Sequence, residues 1–120
     1  MAVTGPSFIA LQVRDVDSAA AFYENKIGLE RAPQSPPGAV VFTTTPVPFA
    51  VRAPSPETDL GSGQPGLGVA LWFASTDAQD LHDRLAADDV PILVPPFDGP
   101  FGLTFSFRDP EGYAVTVHNS

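Results

Sequence analysis

Phe105-Ser106-Phe107-Arg108-Asp109-Pro110-Glu111-Gly112-Tyr113-Ala114-Val115-Thr116-Val117 reads as two short strands joined by a tight turn, and the rest of the chain can be arranged around that hairpin. Phe105, Phe107, Tyr113, Val115 and Val117 alternate with small or polar residues, the period-two pattern of strands with one face in a core. Asp109-Pro110-Glu111-Gly112 puts Pro where a turn wants a preset φ and Gly where φ can turn positive. The chain therefore reverses there, and both strands present two faces.

Upstream, Phe8 to Val13 alternates as a strand, with Ile9, Leu11 and Val13 on one face and Phe8, Ala10 and Gln12 on the other. Asp15-Val16-Asp17-Ser18 supplies capping residues ahead of Ala19, Phe22, Tyr23 and Ile27, spaced as one face of a short helix that Gly28 can end. That helix should lie on the Ile9/Leu11/Val13 face. Arg31 to Gly38, with Pro33, Pro36 and Pro37, reads as a loop, and Ala39 to Thr45 and Val47 to Arg52 read as strands divided by Pro46.

Ala53 to Gly66 has the breaker composition of a linker. Beyond it the pattern recurs: Gly68 to Ala74 as a strand, Thr76 as N-cap with Gln79 at capping-box spacing, and Ala78, Leu81 and Leu85 on one helix face. Pro91 to Val94 and the closing hairpin complete this half, with Pro95 to Gly102 as a loop carrying Phe97 and Phe101. Phe8 and Gly68 lie 68 − 8 = 60 residues apart, and at that offset Val13 falls on Phe73, Asp17 on Asp77 and Ala21 on Leu81, which indicates an internal duplication. The expected fold is α+β: one domain over residues 1–120, with βαβββ modules at roughly 5–53 and 67–118 and a linker at 54–66. Side by side, such modules would form a curved mixed sheet around a shared cleft, where function should sit.

Composition narrows the function. A chain of 120 residues suits one domain with a substantial core. Without cysteine there are no disulfides, thiolate metal sites or cysteine nucleophiles. A net charge of −8, from 14 acidic against 6 basic residues, is unfavourable for holding a polyphosphate backbone, so no nucleic-acid partner is expected. With neither a basic start followed by an apolar run nor an apolar stretch of membrane-spanning length, the expectation is a soluble cytoplasmic protein with no membrane partner. No Gly-x-Ser-x-Gly elbow occurs, and Gly61-Ser62-Gly63 and Gly66-Leu67-Gly68 lack the strand-to-helix setting of a phosphate cradle. No cofactor is expected. Asp77, Asp80, Asp83, Asp88 and Asp89 read as the solvated face of the second helix.

Ala10-Leu11-Gln12-Val13-Arg14-Asp15-Val16, then Ala21-Phe22-Tyr23, Gly28-Leu29-Glu30 and finally Phe107-Arg108-Asp109-Pro110-Glu111-Gly112 together resemble the vicinal oxygen chelate superfamily of glyoxalases, bleomycin-resistance proteins and extradiol dioxygenases. The resemblance spans nearly the whole chain. It implies that metal-dependent relatives carry a His or Glu on the first strand of each module and a carboxylate on the last. By the motif register those positions here are Phe8, Gly68, Thr116 and a residue near Ala50, none of them a convincing ligand for a divalent ion. No metal is therefore expected.

Strand parity instead gives the cleft walls of another kind. Phe8, Ala10 and Gln12 line one wall, Gly68, Ala70 and Trp72 its counterpart, and Thr104, Ser106, Ala114 and Thr116 the last strands. His118 follows Thr116 on the same strand face, and Phe97 and Phe101 stand ready to close over a guest. Flat apolar rings beside small residues and a few hydroxyls suit a planar or polycyclic ligand.

The resemblance then implies a bleomycin-resistance type of protein, a homodimer that binds and sequesters a hydrophobic or aromatic natural-product antibiotic without chemistry, for drug resistance or self-resistance. The alternative is a divergent glyoxalase- or dioxygenase-like enzyme of the same fold acting on a small molecule, with a metal bound differently or acid–base work at His118, Glu111 or Tyr113. A third possibility is a structural or regulatory module whose cleft is filled by its own side chains.

Overall fold

In the computed structural model, which describes residues 2–119, the chain runs β1 (Ile9–Gln12), α1 (Val16–Phe22), β2 (Glu30–Arg31), β3 (Ala39–Thr43), β4 (Phe49–Arg52), β5 (Leu71–Ser75), α2 (Ala78–Ala87), β6 (Ile92–Gly99), β7 (Gly102–Arg108) and β8 (Ala114–Asn119). That order is βαβββ twice over, an α+β tandem repeat. Of the residues assigned to the domain at 1–120, Met1 and Ser120 lie outside the described residues. Two compact units divide between Ser62 and Gly63. Each contains one four-stranded mixed sheet, ordered β1-β4-β3-β2 in the first and β5-β8-β7-β6 in the second. No helix among the described residues is long and apolar enough to cross a membrane.

In the first unit, Asp15 caps α1 by accepting the Ser18 N–H at 3.0 Å. The helix then widens into one π turn over Tyr23–Ile27, and Gly28, at φ 89°, closes it by donating to the Tyr23 carbonyl. Only glycine adopts that left-handed conformation at no steric cost. Ala19, Ala20, Phe22 and Tyr23 are buried against the sheet, with Tyr23 at the centre of an aromatic cluster. Its ring lies 5.0 Å from Phe49 and 5.3 Å from Phe22, both edge-on. The interior is thus aromatic here.

Sequence reading misses β2. Arg31 is not loop but, with Glu30, a two-residue edge strand paired to Phe42 and Thr43. A strand of two exposed, charged residues has no alternation to betray it.

The second unit is organised by the closing hairpin. Asp109 accepts the Glu111 and Tyr113 N–H groups through one carboxylate oxygen, each at 2.9 Å, and Gly112 takes φ 101°. β7 and β8 then pair as Phe105↔Val117 and Phe107↔Val115, all four buried. α2 packs on this side through buried Ala78, Leu81 and Leu85. Full burial of each of the strand residues Phe105, Phe107, Val115 and Val117 contributes roughly 1.5–3 kcal/mol, so a register slip that exposed them would be heavily disfavoured.

Three details of this unit differ from the sequence reading. The cap of α2 is Asp77, which accepts the Asp80 N–H at 3.0 Å, and not Thr76. β5 begins at Leu71, so Gly68 and Ala70 precede the strand, and Gly68 sits in a turn at φ 91°. The segment Pro95 to Gly102 is not a loop: β6 runs through it to Gly99, with register shifts between Ile92 and Val94 and between Val94 and Phe97. Pro95 and Pro96 fall in the second shift on an edge strand, where a missing N–H costs no ladder hydrogen bond. Only Pro100 and Phe101 form the turn, between paired Gly99 and Gly102.

The repeat offset changes accordingly. The strand starts give 71 − 9 = 62 and the caps give 77 − 15 = 62, two more than the motif register indicates. The counterpart of Phe8 thus becomes Ala70 and that of Ala10 becomes Trp72. An even shift preserves which face each residue occupies.

Exchanging Asp77 for Ala is expected to lower stability by about 1 kcal/mol, the usual worth of an N-cap, whereas Thr76→Ala leaves it nearly unchanged. Urea denaturation of the two variants distinguishes the caps.

Candidate functional site

The pairing that buries Phe105, Phe107, Val115 and Val117 turns the intervening residues to the opposite side of the second sheet. Register sets them in rows: Ala74, His118 and Thr104 in one, Trp72, Thr116 and Ser106 in the next, then Ala114 and Arg108. Five of the residues assigned to ligand binding thus share one face: Trp72, Thr104, Ser106, Thr116 and His118.

Phe101 joins them from the β6–β7 turn. Its ring centroid lies 5.9 Å from that of Trp72 and 5.8 Å from that of His118, while Trp72 and His118 are 6.0 Å apart. The three rings pack on one another at steep angles, 80° between Trp72 and Phe101. Yet Trp72 is 48% exposed and Phe101 62%. Aromatic surface of this size is normally covered; here it faces outward. Phe97, paired with Thr104 on β6, is exposed as well. Phe101 is a hairpin tip already seated on Trp72 and His118, not part of an extended loop.

Polar groups on the face are few and directional. Ser106 and Thr116 hydroxyls lie 2.8 Å apart, half-buried. One hydroxyl hydrogen joins the pair, and the other is available to an acceptor. His118 Nδ1 lies 2.7 Å from the Asn119 carbonyl oxygen. A carbonyl only accepts, so Nδ1 carries the hydrogen, and in the neutral ring Nε2 is a hydrogen-bond acceptor. Thr104 differs from its assigned role: at 2% exposure it is buried, and its hydroxyl donates to the Gly102 carbonyl at 2.9 Å. The hairpin end that carries Gly99 and Phe97 covers it.

The first unit's assigned residues form a plainer surface. Ala10 pairs with Ala50 across β1 and β4; Ala10 is exposed, whereas Ala50 is buried and offers little area to a guest. Gln12 accepts the Ser55 N–H through Oε1 at 2.7 Å, which ties the segment after β4 to β1. Phe8 is half exposed just ahead of β1, and Gly68 and Ala70 are exposed ahead of β5. Sequence reasoning omits Arg108, which sits on the Ser106 face; the same parity that selects Ser106 is the signal that finds it.

The positions that the sequence resemblance assigns to metal ligands do not fit a divalent ion. Phe8, Gly68 and Ala50 have no donor side chain, Thr116 offers a hydroxyl bonded to Ser106, and the corrected offset replaces Gly68 with Ala70. Among the described residues no group of three or more His, Asp or Glu comes together. His82 lies on the helix-covered side, edge-on to Phe105 at 5.4 Å and 3.0 Å from Asp83.

A family model described as the Glyoxalase/Bleomycin resistance protein/Dioxygenase superfamily matches residues 5–117. No curated protein matches. Among solved structures, TnmS3, an antibiotic binding protein from Streptomyces sp. CB03234, is similar at TM-score 0.77 and 20% identity, over 99% of this chain and 98% of that one. A lactoylglutathione lyase from Agrobacterium tumefaciens is similar at TM-score 0.69 and 22% identity, over 100% and 96%. The fosfomycin resistance protein FosX from Listeria monocytogenes is similar at TM-score 0.75 and 17% identity, over 98% and 94%. At these identities the likeness speaks to the fold.

The hydroxyl pair yields a stability test. Ser106→Ala alone strands the half-buried Thr116 hydroxyl and is expected to cost about 1 kcal/mol, whereas Ser106→Ala with Thr116→Val should cost less than the sum of the single changes. A double-mutant cycle by chemical denaturation reads the coupling.

Proposed function

The chain belongs to the glyoxalase/bleomycin resistance protein/dioxygenase superfamily, and from that premise we propose that it binds and sequesters an aromatic natural-product antibiotic without transforming it. The observation that carries this reading is the outward-facing group of Trp72, Phe101 and His118 beside the Ser106–Thr116 hydroxyl pair. Exposed rings give a planar guest apolar area to cover, and aromatic contact adds about 0.5–1.5 kcal/mol beyond that burial. A hydroxyl hydrogen, the Trp72 indole N–H and His118 Nε2 are enough to orient it. A binder needs nothing more. The superfamily includes enzymes and antibiotic-binding proteins alike, and in this chain the positions that the resemblance assigns to metal ligands, Phe8, Ala50, Thr116 and, at the corrected offset, Ala70, carry carbon side chains or a bonded hydroxyl. As in the family resemblance, the reading takes the protein as a homodimer.

One observation favours a second reading. With Nδ1–H held by the Asn119 carbonyl, His118 presents Nε2 in the form a general base requires. An enzyme of this fold would use it to take a proton from a bound substrate.

Trp72 is the only tryptophan, so its fluorescence reports directly on the site. Titration with planar polycyclic antibiotics is expected to quench it saturably, and mass spectrometry after prolonged incubation is expected to recover the compound unchanged. By calorimetry, Trp72→Ala should weaken binding about tenfold or more while the melting temperature holds, because the ring is already half exposed. Unaltered affinity in that variant removes Trp72 from the site. Conversion of the compound, abolished by His118→Ala, replaces the binder with the enzyme.

A further inference from the structure

Building on that binding role, we propose that the guest bears an ionised carboxylate and that Arg108 receives it. Arg108 stands on the same sheet face as the Ser106–Thr116 pair, one row beyond it at the end nearest the 109–112 turn, in register with Ala114. It is half-buried, and Nη1 donates to the Gly112 carbonyl at 2.7 Å. This hydrogen bond anchors the guanidinium and leaves its other N–H donors available.

What sets Arg108 apart is half-burial without a counter-charge; Arg52, which among the described residues bonds only the Ala53 carbonyl and the Ser55 hydroxyl, is exposed. Arg31 and Arg84, both more exposed, are paired with Glu24 at 2.9 Å and Asp80 at 3.0 Å. Arg108 has no acidic partner among the described residues. The adjacent carboxylate of Asp109 points into the turn, where it accepts two backbone N–H groups. A partly desolvated cation normally gains a carboxylate in compensation. Here that place is open, and the planar fork of donors matches a carboxylate better than any neutral acceptor.

Dimensions agree. Trp72 lies two strands across from Arg108 and one row along. Strand spacing and rise put their backbones on the order of 10 Å apart, about the span of a three-ring planar acid. Ala114, beside Arg108, leaves room at that end. The chain's net charge of −8 does not exclude an anionic guest, because distant exposed charges are screened and Arg108 is the charged side chain that register sets on this face.

Anthraquinone-2-carboxylate and its carboxamide, equal in shape and differing in charge, test the assignment by calorimetry. The wild type should prefer the carboxylate about tenfold. Arg108→Gln should bind both alike, and Trp72→Ala should weaken both. Raising salt from about 50 to about 500 mM should shrink the wild-type preference, a readout that needs no variant. Equal affinities in the wild type, a preference that survives Arg108→Gln, or one indifferent to salt overturns the role of Arg108 and leaves the binding role standing. If neither compound binds the wild type, both readings fall.

Discussion

The antiparallel register of β7 on β8 is the constraint on which the candidate site depends. Once Phe105 faces Val117 and Phe107 faces Val115 beneath α2, the partners Thr104 and His118, Ser106 and Thr116, and Arg108 and Ala114 have no choice of side. Strand geometry permits two faces only, so burial of one set displays the other. The parallel pairing of β5 with β8 extends the same rule by one strand and sets Trp72 beside Thr116. Core and candidate site are therefore two outcomes of a single pairing.

The two modules use one topology with different fillings. In the first, the large rings turn inward: Tyr23, Phe42 and Phe49 are buried together, and Ala10 and Ala50 occupy the opposite side of the sheet. In the second, Phe105 and Phe107 serve the interior while Trp72 and Phe101 remain exposed. Duplication explains the shared path of the chain, and the substitutions along it explain why aromatic surface and polar groups gather on the second sheet.

That gathering was partly legible in the sequence. Alternation from Phe105 to Val117 and capping residues before each helix specify the elements, because each signal is local. Parity alone brings Trp72, Ser106, Thr116 and His118 to one face. That Phe8, Ala50 and Gly68 bring no donor atom is also readable, since it follows from residue type alone. Other features were hidden for physical reasons. β2 is too short to show a period, and the prolines of β6 conceal a strand because edge position and register shifts, neither visible locally, make them harmless. Thr104 reads as an available hydroxyl until the returning hairpin covers it.

The sequence by itself determined the repeated βαβββ order, the two-faced character of the strands and the lack of a donor atom at Phe8, Ala50 and Gly68, all consequences of residue type and spacing along the chain. Only the tertiary structure decided the true offset of the repeat, the seat of Phe101 on Trp72 and His118, the tautomer of His118 and the half-buried place of Arg108 without an acidic partner among the described residues. Those properties arise from contacts between strands and across turns, where a hydrogen-bond partner or its absence is set by how the chain returns on itself.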